Sequence, residues 1–281
     1  MQFGPALRAT SAIAVLSVMD AVIKAMAAHY STLQIAFLRF GCGLIIVSGV
    51  VAVLRPGRPS RETIIASGIR SLLAVVTATA FFYALGQLPL AETLVLSFLA
   101  PMFVALFGVV MLGERADRRT LAALAAGFAG TLIVVLGQFD TAEQSRSWTG
   151  VAAALFSAVT YALSLVLLRA RAQRDPLLHI IFLQHLGSTL LLAPFAYAVW
   201  ETPPWEHLAV FALIGVLGVT GHVLLTTAFA RDSAARLASL EYTALIWATV
   251  IGYGAFGEIP TWTTIAGAVL IVVGAVITSR R

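Results

Sequence analysis

Asp20, Lys24 and Arg39 are ionised side chains in stretches that otherwise read as hydrocarbon, LSVMDAVIKAMAAHY and AFLRF, with a polar STLQ break between them. A charge inside a bilayer is expensive unless it is paired or faces water, so such residues point to a functional site. The spacing of Asp20 and Lys24 puts both on one helix face, where they can neutralise each other. Ser17 extends that face by one turn. Arg39 has two readings: it holds a substrate carboxylate bidentately, or it pairs with Asp20 and locks two helices. Glu241 is a further carboxylate in apolar sequence, beside Tyr242 and two turns before Trp247. In a cavity it can carry a proton or hold a substrate amine; a salt bridge to Arg236 is the structural alternative.

The elements that must position these residues are membrane-spanning helices. Of 281 residues, 60% are hydrophobic and 11% charged, against roughly 25% charged in a soluble domain, and the mean hydropathy is +0.95. A span takes about 20 apolar residues. Ten such segments follow one another, near 7–28, 32–54, 64–86, 91–112, 118–138, 149–169, 177–198, 207–229, 236–256 and 260–278. The first is read as a retained span, because a lone Arg precedes it and no small-residue cleavage site follows.

Arginine sets the orientation. With the N-terminus cytoplasmic, the inner loops and ends carry fourteen Arg, while the outer loops carry Arg146 beside Asp140, Glu143, Glu201 and Glu206. The basic balance therefore reports topology and membrane anchoring, and no nucleic-acid partner is expected. The chain has no Asn, and Lys24 is its only Lys, a bias expected of a GC-rich bacterial genome. If Lys24 does not serve Asp20, it snorkels to the outer surface. The lone Cys42 excludes an intrachain disulfide.

The chain repeats itself. A shift of 144 residues lays FLAPMFVALFGVVMLGE, ending at Glu114, over YTALIWATVIGYGAFGE, ending at Glu258. A shift of 145 lays LQIAFLR (33–39) over LHIIFLQ (178–184). Five spans per half is an odd number, so the second half enters the membrane from the opposite side. Inverted halves are the plan of many secondary transporters, with the site near the midplane between them. The repeat also sorts the polar residues. Arg39 aligns with Gln184, and Glu241 with Ser97, so the shared scaffold needs neither charge. Glu114 and Glu258 are duplicated and read as structural.

The paired Gly-Glu closing spans four and nine, the passage ALGQLPLAETLVLSFLAP (84–101) and the passage EYTALIWATVIGYGAFGEIP (241–260) carry a resemblance. The whole chain resembles the drug/metabolite transporter superfamily, in its ten-span EamA branch. The pair Asp20 and Lys24, the F-L-R at Arg39 and the R-S-L-L at Arg70 look most like carriers of S-adenosylmethionine or riboflavin. The resemblance implies movement of a small organic metabolite across the bacterial inner membrane.

The expected fold is an all-α membrane protein of ten transmembrane helices in two inverted five-helix repeats, residues 1–140 and 147–281, with both termini cytoplasmic. The expected substrate site draws on Asp20, Lys24, Arg39, Tyr83, Ser97, Tyr161, Gln184, His222, Glu241, Tyr242 and Trp247. Glu241, Asp20 and Pro101 are the expected coupling and gating residues; Pro101 removes a backbone hydrogen bond from span four. Arg70 either joins the site or snorkels to the inner surface. Tyr161 belongs to a polar stripe with Ser157, Thr160 and Ser164. Cavity charges of both signs suit a zwitterion. No cofactor and no metal site are expected, since HExxH is absent. The expected partners are a small-molecule substrate, the lipid bilayer and a coupling proton, with the protein a monomer or homodimer. A nucleophile motif for an intramembrane enzyme is also absent.

Overall fold

The computed structural model describes residues 4–113, 118–140, 147–232, 237, 239–257, 259 and 261–279; for residues 91, 92, 95, 239, 242 and 245 and parts of the sixth and last helices it describes the backbone only. Every regular element among the described residues is helical: α1 (Pro5–Met26), α2 (Thr32–Leu54), α3 (Arg61–Gln87), α4 (Leu90–Ser97), α5 (Ala100–Leu112), α6 (Arg118–Asp140), α7 (Trp148–Ala172), α8 (Leu177–Ala198), α9 (Trp205–Phe229), a 3₁₀ segment (Ser239–Thr243), α10 (Ala244–Phe256) and α11 (Trp262–Ser279). Six of these, α1–α3 and α7–α9, are long and apolar enough to cross a membrane.

Local sequence explains where the helices begin and end. Ser31, Ser60 and Ser147 are N-caps whose hydroxyls accept from the backbone N–H groups of Gln34, Thr63 and Gly150. Pro5 opens α1, where its missing N–H is not needed. Gly113 and Gly257 close α5 and α10 in the left-handed conformation at φ 66°, which carries no steric penalty for glycine. Ile45, Val53, Val110 and Tyr253 are among the large apolar side chains on the outer surface. Such a surface suits lipid, while the charges turn inward.

Two apolar stretches are broken helices. The fourth is interrupted between Ser97 and Ala100, and the ninth carries the 3₁₀ segment Ser239–Thr243 directly before α10. Irregular backbone at membrane depth is tolerated where protein buries it or it lines a cavity. Pro101 lies in the first turn of α5, so the residue that cannot donate stands where an intrahelical donor is not required.

The two halves of the chain interleave. The most extensive contacts are α6 on α11, α3 on α7, α1 on α9, α2 on α8 and α9, and α3 on α8. Contacts recur at repeat spacing. Leu16 meets Gly221, and 144 residues on in α7, Thr160 accepts from Thr77 at 2.8 Å. Cys42 lies against Gly215 between α2 and α9, and Ser71 against Gly187 between α3 and α8. Small residues let these backbones approach closely. Gln34 accepts from the Glu201 backbone N–H at 2.9 Å, and its counterpart His179 donates to the Gly57 carbonyl at 3.2 Å.

Candidate functional site

Eight helices and the 3₁₀ turn surround an elongated cavity of about 210 Å³. On α3 its lining runs from Arg70 to Phe82, about 18 Å at 1.5 Å per residue. Its walls are mostly apolar, with Phe40, Phe81, Phe82 and Phe98 the large rings. Into them project Ser17 and Asp20 from α1, Arg39 from α2, Arg70 from α3, and Ser97 from the end of α4. Tyr161 comes from α7, Gln184 from α8, His222 from α9 and Glu241 from the 3₁₀ turn. Asp20, Arg39, Arg70 and Glu241 are all less than a tenth exposed.

The Tyr161 hydroxyl donates to Glu241 Oε1 at 3.2 Å. Arg39 lies over the Phe40 ring, Cζ 4.5 Å from its centroid, and its Nε faces Met19 Sδ at 3.4 Å. Its Nη2 stands 3.4 Å from His222 Nε2. A guanidinium can only donate, so that contact requires a His222 whose Nε2 accepts. Gly218 packs beside the guanidinium: a Cβ there would stand in ordinary contact with Arg39 Nε at 3.7 Å. His185 stands behind the wall, its Nδ1 donating to the Ile181 carbonyl at 2.9 Å, its ring edge-on to His222. A methyl on Gly43 would lie 2.4 Å from that ring.

The structure brings seven of the sequence-derived site residues to one cavity: Asp20, Arg39, Ser97, Tyr161, Gln184, His222 and Glu241. Lys24 stands elsewhere. Its Nζ donates to the carbonyls of Leu88 at 2.7 Å and Leu85 at 3.3 Å, capping the end of α3. The expected Asp20–Lys24 pair is thus replaced by a helix C-terminus, whose unsatisfied carbonyls attract a cation. Arg39 and Asp20 share the cavity without forming an ion pair, against the helix-locking alternative. Tyr83 is 38% exposed and bonds Thr149 across α3 and α7. Trp247 is equally exposed. Neither lines the cavity. Pro101 is buried behind the break rather than on the cavity wall. The Tyr242 side chain, Glu114, Glu258 and Arg236 lie outside the described residues.

Arg70 corrects the snorkelling alternative: it is 4% exposed and its Nη2 donates to Gln184 Oε1. Sequence reasoning also passed over Phe40, Phe81, Phe82 and Thr226 as lining residues. Phe81 and Phe82 carry no local signal among so many apolar neighbours. Among the described residues no three His, Cys, Asp or Glu side chains converge where they could hold a metal ion.

The profile of the EamA-like transporter family matches residues 6–136 and again 148–280. The chain belongs to the EamA-like transporter family. The pseudopaline exporter CntI of Pseudomonas aeruginosa is 30% identical to this EamA protein over 270 residues, 94% of this chain and 92% of the exporter. The S-adenosylmethionine uptake transporter of Rickettsia prowazekii is 24% identical, covering 91% of this chain and 85% of its own. One solved crystal structure superposes with a TM-score of 0.77 over 98% of this chain and 97% of its own, at 21% identity, a likeness of fold alone. These EamA relatives are named as transporters and not as enzymes, and the chain is a transporter of the EamA type.

Proposed function

We propose that the protein is a secondary transporter of the bacterial inner membrane that moves a small zwitterionic or aromatic metabolite by alternating access. The observation that carries this reading is the cavity itself: Asp20 and Glu241 face Arg39 and Arg70 in one apolar pocket, with no ion pair joining the two signs. Unpaired charges of both signs in a poorly solvated space are complementary to a ligand that carries both. The phenylalanine walls suit the apolar or aromatic body of such a ligand.

The ten helical stretches are taken as ten spans in two inverted repeats, residues 1–140 and 147–281, with both termini cytoplasmic. The paired contacts 144 and 145 residues apart support the repeat, and the arginine distribution supports the orientation. Because the halves interleave, alternating access is assigned to units drawn from both halves. The broken stretches at Ser97–Ala100 and at Ser239–Thr243 give points at which the backbone can bend.

Candidate substrates are S-adenosylmethionine, amino acids and riboflavin, of which the named uptake relatives favour the first. Export of a zwitterion is a second reading, supported by the relative at 30% identity that is named as an exporter. The test is transport by proteoliposomes loaded from either side with labelled S-adenosylmethionine or amino acids. Saturable flux lost in Glu241→Gln and Arg39→Gln is expected. Flux that never saturates with concentration would indicate a pore and overturn the carrier reading.

A further inference from the structure

The two guanidiniums of the cavity are satisfied very differently. Arg39 is surrounded by a thioether, an imidazole and two rings, Phe40 at 4.5 Å and Phe82 at 5.8 Å. Arg70 has a single partner, the amide oxygen of Gln184; its Nε and Nη1 are buried and make no hydrogen bond. Its neighbours on α3, Ser67, Ser71 and Ala74, are small and offer it no acceptor in place of Gln184, and the Ser71 hydroxyl is engaged with the Ser67 carbonyl. A buried cation lacking a counter-charge is unfavourable, and such groups are normally found paired.

We propose that Arg70, oriented by Gln184, is the subsite for the carboxylate of the transported zwitterion, with Arg39 shaping the cavity without holding that group. This rests on the carrier reading above and deepens it. Nη2 keeps a second N–H beside its bond to Gln184, and with the unpartnered Nε or Nη1 it makes the fork that an incoming carboxylate needs. A dianion such as a phosphate monoester fits less well. Asp20 and Glu241 share the pocket, so the formal charges of its four ionisable walls already balance. The residue facing Arg70 from α8 is the neutral Gln184, which fixes the guanidinium and leaves its charge unspent. The repeat makes this a choice: the partner position in the first half is Arg39.

Two measurements on the purified full chain test the assignment. The first is binding of S-adenosylmethionine and of its decarboxylated form to wild type, Arg70→Gln and Arg39→Gln. Wild type should lose at least tenfold in affinity when the carboxylate is absent, and Arg70→Gln should bind both compounds alike. Equal binding of the two compounds by wild type, or a carboxylate effect that survives in Arg70→Gln and vanishes in Arg39→Gln, would overturn the subsite. The second is the melting temperature of ligand-free Arg70→Met. A binding arginine without a partner is dispensable to the fold, so the temperature should hold or rise; a clear fall would mark Arg70 as structural and sink the proposal. If neither compound binds wild type, the S-adenosylmethionine reading fails, and the melting comparison alone decides the subsite.

Discussion

Replacing Lys24 with Met keeps the aliphatic stem and deletes the ammonium that caps α3. The ammonium donates to the Leu88 carbonyl at 2.7 Å and to the Leu85 carbonyl at 3.3 Å. A hydrogen bond to a charged group contributes about 1.5–3 kcal/mol, and the contact over Phe256 at 5.7 Å adds about 0.5 kcal/mol. Partial exposure reduces both, so Lys24→Met should lose about 2 kcal/mol. The measurement is a double-mutant cycle of Lys24→Met with Asp20→Asn, read by reversible unfolding in detergent. Lys24 points to α3, so the coupling should be within about 0.5 kcal/mol of zero. Asp20→Asn should also fail to rescue Lys24→Met. A favourable coupling above about 1 kcal/mol would show an Asp20–Lys24 pair, and an unchanged stability in Lys24→Met would remove the cap.

Glu241→Gln should abolish transport while leaving folding and membrane insertion intact, and wild-type flux in this variant would remove Glu241 from the site. Tyr161→Phe deletes a hydroxyl bonded to Glu241, worth about tenfold in transport efficiency; unchanged kinetics would separate the two residues. Gly215→Ala places a methyl 2.6 Å from Cys42 Cβ and 3.0 Å from its backbone carbon, so it should destabilise by about 1–3 kcal/mol. Gly68→Ala meets nothing within 4 Å and serves as the control whose melting temperature does not fall. Tyr83→Ala and Trp247→Ala should leave substrate affinity unchanged, since neither side chain reaches the cavity; a large rise in KM for either would contradict that placement.

The ten apolar stretches were legible because helical extent at this composition is a one-dimensional property: each is bounded by Pro, Gly, Ser or charge, and the helices end within a few residues of those signals. The breaks in stretches four and nine were legible only in part. Pro101 marks the first, but Glu241 and Thr243 carry no breaker, and the 3₁₀ turn there follows the register of the other half. The repeat was the most useful guide to the site. It separated Glu241 and Arg39 from duplicated polar positions, and both line the cavity.

Composition and the apolar periods pointed by themselves to an all-helical membrane protein with charges inside its bundle, and the duplication together with the family resemblance pointed to transport. The sequence alone could not determine which charges meet. Lys24, in the last turn of α1, and Arg70, more than two turns into α3, both have long stems, and both had a surface alternative. Tertiary structure sends one to the carbonyls of α3, 61 and 64 residues away, and the other to Gln184, 114 residues away. The physical reason is that a charge in an apolar medium goes wherever an acceptor lies within its reach. The acceptors here belong to helices whose rotation and depth are set by close contacts such as Ser71 with Gly187, contacts that no local pattern encodes.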